Sequence, residues 1–441
     1  MQEVENQHYN TCVRLTIHRG THEIGGSCVQ IFSDSSNTRL LIDLGMPLVN
    51  ADRTQFEWND HKGKSVHQLI KSGILPSIEG LYESSQSSVS AVLLSHAHQD
   101  HYGFMQFVQP DIPIYMSRGT KSLVEVSNLF IEAKINVVNI KTFRMWKPFK
   151  VDDFTITPYL MDHSAPDAAA FLIEADQKRI FYTGDFRGHG RKKVLLERLT
   201  KQPPIDIDYL IMEGSMIGRE EGLYSDETSV EEALVIKMRA DKKICFVFTS
   251  SQNLDRIVSI YRATKRSGRT FIVDLYTAFV LEKLHNLSPN IPQFSWKDVR
   301  VFFLYHHAQK LAELNEQLLY KYAKHRIKPE EIYNEPENKV ILSKDNRYYR
   351  SLITKCGEAT TIYSMWHGYL ERGTLLEFLT KRSIELAEIH TSGHAAHQHL
   401  KDIAEAIKPR FIIPIHTFYP ERFNEMFANV ISVDDGQELI L

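Results

Sequence analysis

The sequence predicts a mixed α/β protein of two domains, and three observations carry that expectation. At 441 residues the chain is long for a single hydrophobic core. Its first half reads as short, partly alternating apolar strands set apart by Gly- and Ser/Asn-rich turns. From about Gly214 the texture changes to strand and helix patterns in alternation, as in a parallel sheet flanked by helices. In chain order, strands are expected at residues 13–18, 28–32, 39–43, 89–95, 154–160, 169–174, 179–183 and 208–213. Residues 225–238 open on an acidic turn and read as a helix. Strand 243–249, helix 253–267 and strand 270–275 follow, then a helix over 308–323 and strands at 340–342 and 361–364. The last segment reads as strand 388–390, helix 396–407 and strand 410–416.

Composition narrows the class. Apolar residues make up 43% and charged residues 24%, ordinary for a soluble globular chain. The longest apolar runs, 244–248 and 411–415, have strand length and fall far short of a membrane span. Residues 1–10 are polar, unlike a secretory signal. Cys12, Cys28, Cys245 and Cys356 are scattered without a CxxC pair, as expected of reduced thiols in a cytoplasmic protein with no membrane association. The net charge of −3 does not by itself mark a nucleic-acid binder. Two basic clusters, 187–193 and 262–269, read either as phosphate contacts or as solvated faces.

The histidines decide the chemistry. Ser95-His96-Ala97-His98-Gln99-Asp100-His101-Tyr102-Gly103 follows an apolar strand directly. Three imidazoles and a carboxylate within six residues cannot be a core segment, because each polar ring would need its own partner. On a strand-end loop, His96 and His98 can face one metal while Asp100 and His101 face another, as divalent zinc favours. The competing reading is a His-rich surface loop. Four further pieces lie beside predicted strands: Asp162-His163-Ser164, Thr183-Gly184-Asp185, His390-Thr391-Ser392-Gly393-His394 and His416-Thr417. Each alone is weak, since a solitary His is more often structural.

Together these motifs resemble the metallo-β-lactamase superfamily. The HxHxDH run at 96–101, His163, Asp185 and His416 match its ligand pattern. Glu213 in Met212-Glu213-Gly214-Ser215, His394 in Ser392-Gly393-His394-Ala395, and His416 resemble the three motifs of its nucleic-acid-processing β-CASP branch, ribonuclease J above all. The resemblance implies an αββα metallo-β-lactamase sandwich over residues 1–213 and 384–441, interrupted by an inserted β-CASP α/β domain at 214–383. One departure is Thr417-Phe418-Tyr419, where ribonuclease J usually has Gly-Glu after this His.

The resemblance further implies a metal-dependent ribonuclease that hydrolyses RNA with a hydroxide shared by two divalent ions, zinc or else manganese. His96, His98 and His163 would hold one ion, Asp100, His101 and His416 the other, and Asp185 would bridge. Asp100 would also orient the nucleophile, and Asp43 would brace the ligand loop, although a turn-capping Asp is an equal reading. His394 is expected on the scissile phosphate with Glu213 behind it, and the Ser392 and Gly393 amides at a helix N-terminus. Ser250, Ser251, Arg187 and Trp366 are candidate RNA contacts, with an ordinary core role the competing reading for Trp366. A His at the third motif accompanies RNA substrates in this branch, and a homo-oligomer is among the assemblies it allows. The alternative is a hydrolase of a small molecule such as a thioester, lactam or cyclic nucleotide, or else a DNA nuclease.

Overall fold

The computed structural model describes residues 12–82, 88–130 and 137–441, and three sheets organise them. In the first, seven strands lie in the spatial order Glu438–Ile440, Val13–Arg19, Cys28–Ser33, Thr38–Ile42, Val89–Leu93, Ile114–Met116 and Ile140–Thr142. The second has six: Phe411–Ile415, Tyr209–Glu213, Lys178–Tyr182, Ala169–Ala175, Phe154–Leu160 and Phe149–Val151. Side chains in a strand alternate between faces, so each sheet has two packing surfaces. Leu40, Ile42, Ala91 and Leu93 of the first sheet meet Phe171, Ile173, Ile180 and Ile413 of the second in one buried cluster. Leu41, Val92 and Leu94 point the other way, onto Leu69 of helix Val66–Lys71 and Leu123 of helix Arg118–Phe130. Behind the second sheet, Phe181, Leu210 and Met212 pack on Leu199 of helix Val194–Lys201 and on Leu400, Ile403 and Ile407 of helix His397–Ile407. The result is the helix–sheet–sheet–helix sandwich.

All seven strands of the third sheet are parallel. They run Arg326–Ile327, Val299–Phe302, Thr270–Asp274, Lys339–Ser343, Ile244–Phe248, Ala359–Tyr363 and Leu386–Glu388. Both faces are covered, which explains near-continuous apolar runs such as Ile244–Phe248. Cys245 and Val247 face one cluster, and Ile244, Phe246 and Phe248 the other. Every strand of this sheet lies in sequence between two strands that are neighbours in the second sheet. Tyr209–Glu213 and Phe411–Ile415 pair in parallel, with Glu213 level with Ile415. The chain leaves the second sheet, builds the third and returns one strand over.

Two expectations from the sequence need correction. The helix expected over 308–323 is two helices, Tyr305–Leu314 and Glu316–Ala323. Asn315 between them is extended, and its side chain accepts from the Gln317 amide at 2.9 Å, so local capping outweighs continuation of the apolar stripe. Leu275, read as the last residue of a strand, instead opens helix Leu275–Lys283. Asp274 ends the strand and caps that helix, accepting from the Thr277 amide at 2.7 Å, with no intervening turn to signal the change. Cys28 and Cys245 are fully buried fillers. No helix among the described residues is long and apolar enough to cross a membrane.

Phe171 sits fully buried at the middle of the sandwich. Phe171→Ala should cost about 3–5 kcal/mol, read as a lower urea midpoint of the sandwich signal. An unchanged midpoint would mean that the two sheets do not share this core.

Candidate metal centre

The sandwich gathers its polar residues at the carboxyl ends of strands. His96, His163 and Asp185 each lie three residues beyond a strand, after Leu93, Leu160 and Tyr182; Glu213 ends its strand and His416 follows Ile415. The ligand loop turns into a short helix, Gln99–Tyr102, held against the exit of strand Thr38–Ile42. Leu44 N–H donates to the His101 carbonyl at 2.9 Å, and Met46 N–H to the Gln99 carbonyl at 2.9 Å. So close an approach requires glycine: a Cβ on Gly45 would lie 1.7 Å from the Asp100 carbonyl oxygen.

Asp43 locks this corner. Its carboxylate accepts from Ser95 N–H and Ser95 Oγ, each at 2.8 Å, and from Tyr182 Oη at 2.9 Å, and it lies 2.8 Å from His101 Nδ1. Asp43 and His416 both have left-handed backbones, φ +61° and +54°, a strain that surrounding bonds must sustain.

Two ligand sets result, with Asp185 in both. His96, His98, His163 and Asp185 form the first, and Asp100, His101, Asp185 and His416 the second; within each, the donor atoms lie within 4.8 Å of one another. His98 Nδ1 is 3.1 Å from His96 Nε2 and 3.2 Å from His163 Nε2. Asp185 Oδ2 is 3.2 Å from His101 Nε2, 3.6 Å from His96 Nε2 and 3.8 Å from His416 Nε2. The rear nitrogens are occupied: His96 Nδ1 by Ser95 Oγ at 3.0 Å, His163 Nδ1 by the Gly393 carbonyl at 2.8 Å, and His416 Nδ1 by Ser27 Oγ at 2.9 Å. Such backing turns each Nε2 inward.

The inner atoms have no such partners. Both Asp185 oxygens, His101 Nε2 and His416 Nε2 are buried without a hydrogen bond. Leaving a buried carboxylate unsatisfied is costly, and a cation in its midst removes the cost. Burial, reinforced by the neighbouring imidazoles, holds His96 and His163 well below the usual histidine range, in the neutral form that binds metal. Burial opposes ionisation of Asp185, but His416 and His101 override it and hold the carboxylate well below its usual range. The donor set therefore fits divalent metal.

Asp185, Glu213 and His394 form a third group beside these two. His394 Nδ1 lies 3.2 Å from Glu213 Oε2 and 3.7 Å from Asp185 Oδ2. Glu213 is fixed from behind by the amides of Phe186 at 3.1 Å and Ser215 at 3.2 Å. Burial disfavours the His394 imidazolium, yet Glu213 and then Asp185 bring it up to about 9.

The other candidates fall apart on burial. Arg187 is 1% exposed, and its guanidinium is spent on Asp255 at 2.6 Å and on the Ser392 carbonyl at 2.9 Å. It has no free face for a phosphate, which corrects the sequence expectation. Arg191 and Lys192 are likewise paired, with Glu231 and Asp255. Ser251 is buried on Thr277 at 2.7 Å, whereas Ser250 is exposed. Helix His397–Ile407 has Ala396 as its N-cap, so the Ser392 and Gly393 amides precede its first turn, another correction. Trp366 is 36% exposed, with Arg219 and Arg372 over its ring at 4.9 and 5.4 Å and the Tyr369 ring edge-on at 5.2 Å. Burial, and then the Asp100 carboxylate, pushes the Tyr369 phenol up. Ser27, behind His416, and Tyr182, behind Asp43, carried no sequence signal.

Comparison with known proteins agrees with this geometry. The model of the β-lactamase superfamily domain matches residues 79–284. Ribonuclease J of Sinorhizobium meliloti is 24% identical over 359 residues, covering 78% of this chain and 60% of that protein. Ribonuclease J of Helicobacter pylori strain B128 is 23% identical, covering 94% of this chain and 58% of that one. The transcription termination factor FttA of Methanothermobacter thermautotrophicus is 24% identical over 66% of this chain and 46% of its own. The chain thus spans about 60% of the length of the ribonucleases J it matches. A crystal structure of a protein of unknown function from Enterococcus faecalis V583 shares the fold at a TM-score of 0.78 and 21% identity, covering 98% of this chain and all of that one.

Sandwich, donor groups and matched family model all resemble the metallo-β-lactamase superfamily. Within that superfamily the chain is similar to the ribonucleases J.

Asp43→Asn should weaken metal binding about 10- to 100-fold, measured as metal retained after dialysis against a graded chelator. Full retention would show that Asp43 merely caps a turn. Stripping the metal with chelator should lower the melting temperature, because the buried acceptors then lose their cation. An unshifted melting curve would count against a metal in this pocket.

Proposed function

We propose that the chain is a metal-dependent phosphodiesterase that hydrolyses RNA. The observation that carries this reading is the third group. His394, with Nδ1 3.2 Å from Glu213, stands beside the carboxylate common to both ligand sets. Small-molecule hydrolysis needs the ligand sets alone, whereas a positioned ring N–H donor beside them suits a phosphodiester.

His96, His98 and His163 would hold one ion and Asp100, His101 and His416 a second, with Asp185 shared. The imidazole-rich donors favour zinc, with manganese the alternative. When bound, the ions supply Lewis acidity and a water acidic enough to attack near neutral pH. The remaining work falls to the chain. Asp100, at the mouth and 3.7 Å from His416 Nε2, orients the attacking water and accepts its proton. With Nδ1 turned to Glu213, His394 offers Nε2–H to a non-bridging phosphate oxygen and offsets the charge that builds there. Glu213 keeps the ring aimed, and its own position is set by two backbone amides.

Substrate recognition belongs to the surfaces around this point. Residues 214–383 form the inserted unit in this reading, and the sandwich comprises 1–213 and 384–441. Trp366 offers a platform for a base, with Arg219 and Arg372 beside it for the backbone. Ser250, exposed after strand Ile244–Phe248, and the Ser392 and Gly393 segment are the nearest candidates for further phosphate contact. Self-association of the chain is compatible with this assignment, as is action in the cytoplasm.

His394→Ala should keep its full complement of metal and lose RNA cleavage by about 100- to 1,000-fold, measured as single-turnover rates on a labelled oligonucleotide. Near-normal cleavage by that variant would overturn the phosphate role. Parallel assays on 5′-phosphorylated, 5′-triphosphorylated and circular RNA separate end-dependent from internal cutting. Activity on thioesters or lactams, with none on RNA, would replace the nuclease reading by a small-molecule one.

A further inference from the structure

Directly behind His394 lies a cluster of buried charges that the metal chemistry does not use. Glu227, the first residue of helix Glu227–Ala240, has a fully buried carboxylate between two fully buried guanidiniums. Its Oε1 accepts from Arg256 Nη2 at 2.9 Å and lies 3.5 Å from Arg187 Nη1. Its Oε2 accepts from Arg256 Nε at 3.2 Å and from Ser259 Oγ at 2.6 Å. Each arginine then reaches past Glu227 to the segment that carries His394. Arg256 Nη2 donates to the Thr391 carbonyl at 3.2 Å, and Arg187 Nη1 to the Ser392 carbonyl at 2.9 Å. The next carbonyl, Gly393, meets His163 Nδ1 at 2.8 Å. Three consecutive carbonyls are therefore held by groups of fixed position, and the His394 amide closes the turn on Ser392 Oγ at 3.0 Å.

Stability alone does not account for this arrangement. Buried ion pairs return little net stability once desolvation is counted, and an apolar cluster of the same volume would serve as well. A carboxylate that takes the Arg256 fork with both oxygens, and stands 3.5 Å from an Arg187 held on its other side by Asp255, does something an apolar cluster cannot, because it fixes the direction of the remaining N–H bonds.

We propose that Glu227, clamped by Arg187 and Arg256, is a positioning residue for His394: it aims the two guanidiniums whose free donors hold the Thr391 and Ser392 carbonyls. The inserted helices thereby set the catalytic imidazole in the sandwich, and Glu227 never meets substrate. The proposal rests on the reading of His394 as a phosphate contact, and it concerns how that ring is placed.

The test uses the zinc-loaded full chain labelled with ¹⁵N-histidine, in Glu227→Gln, His394→Ala and the double variant. The His394 ring signals are identified by their loss in His394→Ala. Glu227→Gln should shift those signals, leave zinc content unchanged and slow RNA cleavage about 10- to 100-fold, the scale of loss for a misplaced group. The double variant should be no slower than His394→Ala alone, because Glu227 acts only through that ring. Unmoved His394 signals, or losses that multiply in the double variant, would overturn the proposal. If Glu227→Gln fails to fold, Arg256→Lys goes through the same measurements: it keeps the charge beside Glu227 but cannot span both Glu227 and Thr391. A parent chain that does not cut RNA would sink the nuclease reading, while the ring signals would still decide this one.

Discussion

One buried carboxylate organises the molecule. Asp185 stands where three strand ends converge, desolvated, with neither oxygen hydrogen-bonded and four imidazole nitrogens within 4 Å. His96, His101 and His416 each turn Nε2 toward it, because their other ring nitrogens are engaged by Ser95, Asp43 and Ser27. The strained backbones at Asp43 and His416 belong to the same constraint. They place a carboxylate behind one ligand and an imidazole beside another.

The frame that sustains them is built for strand-end convergence. Parallel pairing of Tyr209–Glu213 with Lys178–Tyr182 and with Phe411–Ile415 brings Asp185, Glu213 and His416 to one edge of the second sheet. The first sheet delivers the HxHxDH loop across the sandwich. Gly45 lets that loop close against its neighbour, since any side chain there would collide with the Asp100 backbone. The long excursion between Glu213 and Ile415, which pair in space, is what allows a whole parallel sheet to lie beside the centre without disturbing it.

Charge is divided between two tasks. Around Trp366, Arg219 and Arg372 are stacked on an exposed ring, where cations can meet a polyanion. Around Glu227 the cations are buried and matched by carboxylates, where they fix backbone direction. The cluster at 187–193 belongs largely to the second kind, with Arg187, Arg191 and Lys192 all paired internally. Arg266 is paired too, with Glu231 and Glu232 on the solvated side of helices Glu227–Ala240 and Leu254–Arg266.

The grouping of candidate donors was legible in the sequence because metal binding demands particular residue types, and HxHxDH, His163, Asp185 and His416 supply them at strand ends that periodicity alone locates. The sandwich and the parallel sheet were legible for the same reason: alternation and continuous apolar runs report how many faces of a strand are buried. What the sequence could not determine was pairing. Nothing in Arg187-Gly188-His189-Gly190-Arg191 says whether a guanidinium faces solvent or a buried glutamate forty residues on, nor that Asn315 would break a helix its neighbours favour. Nor does it show that Ser27 stands behind His416 and Tyr182 behind Asp43. Those outcomes depend on which surfaces meet once the sheets pack, and only the tertiary structure settles them, because burial and hydrogen-bond geometry are properties of contacts between segments far apart along the chain.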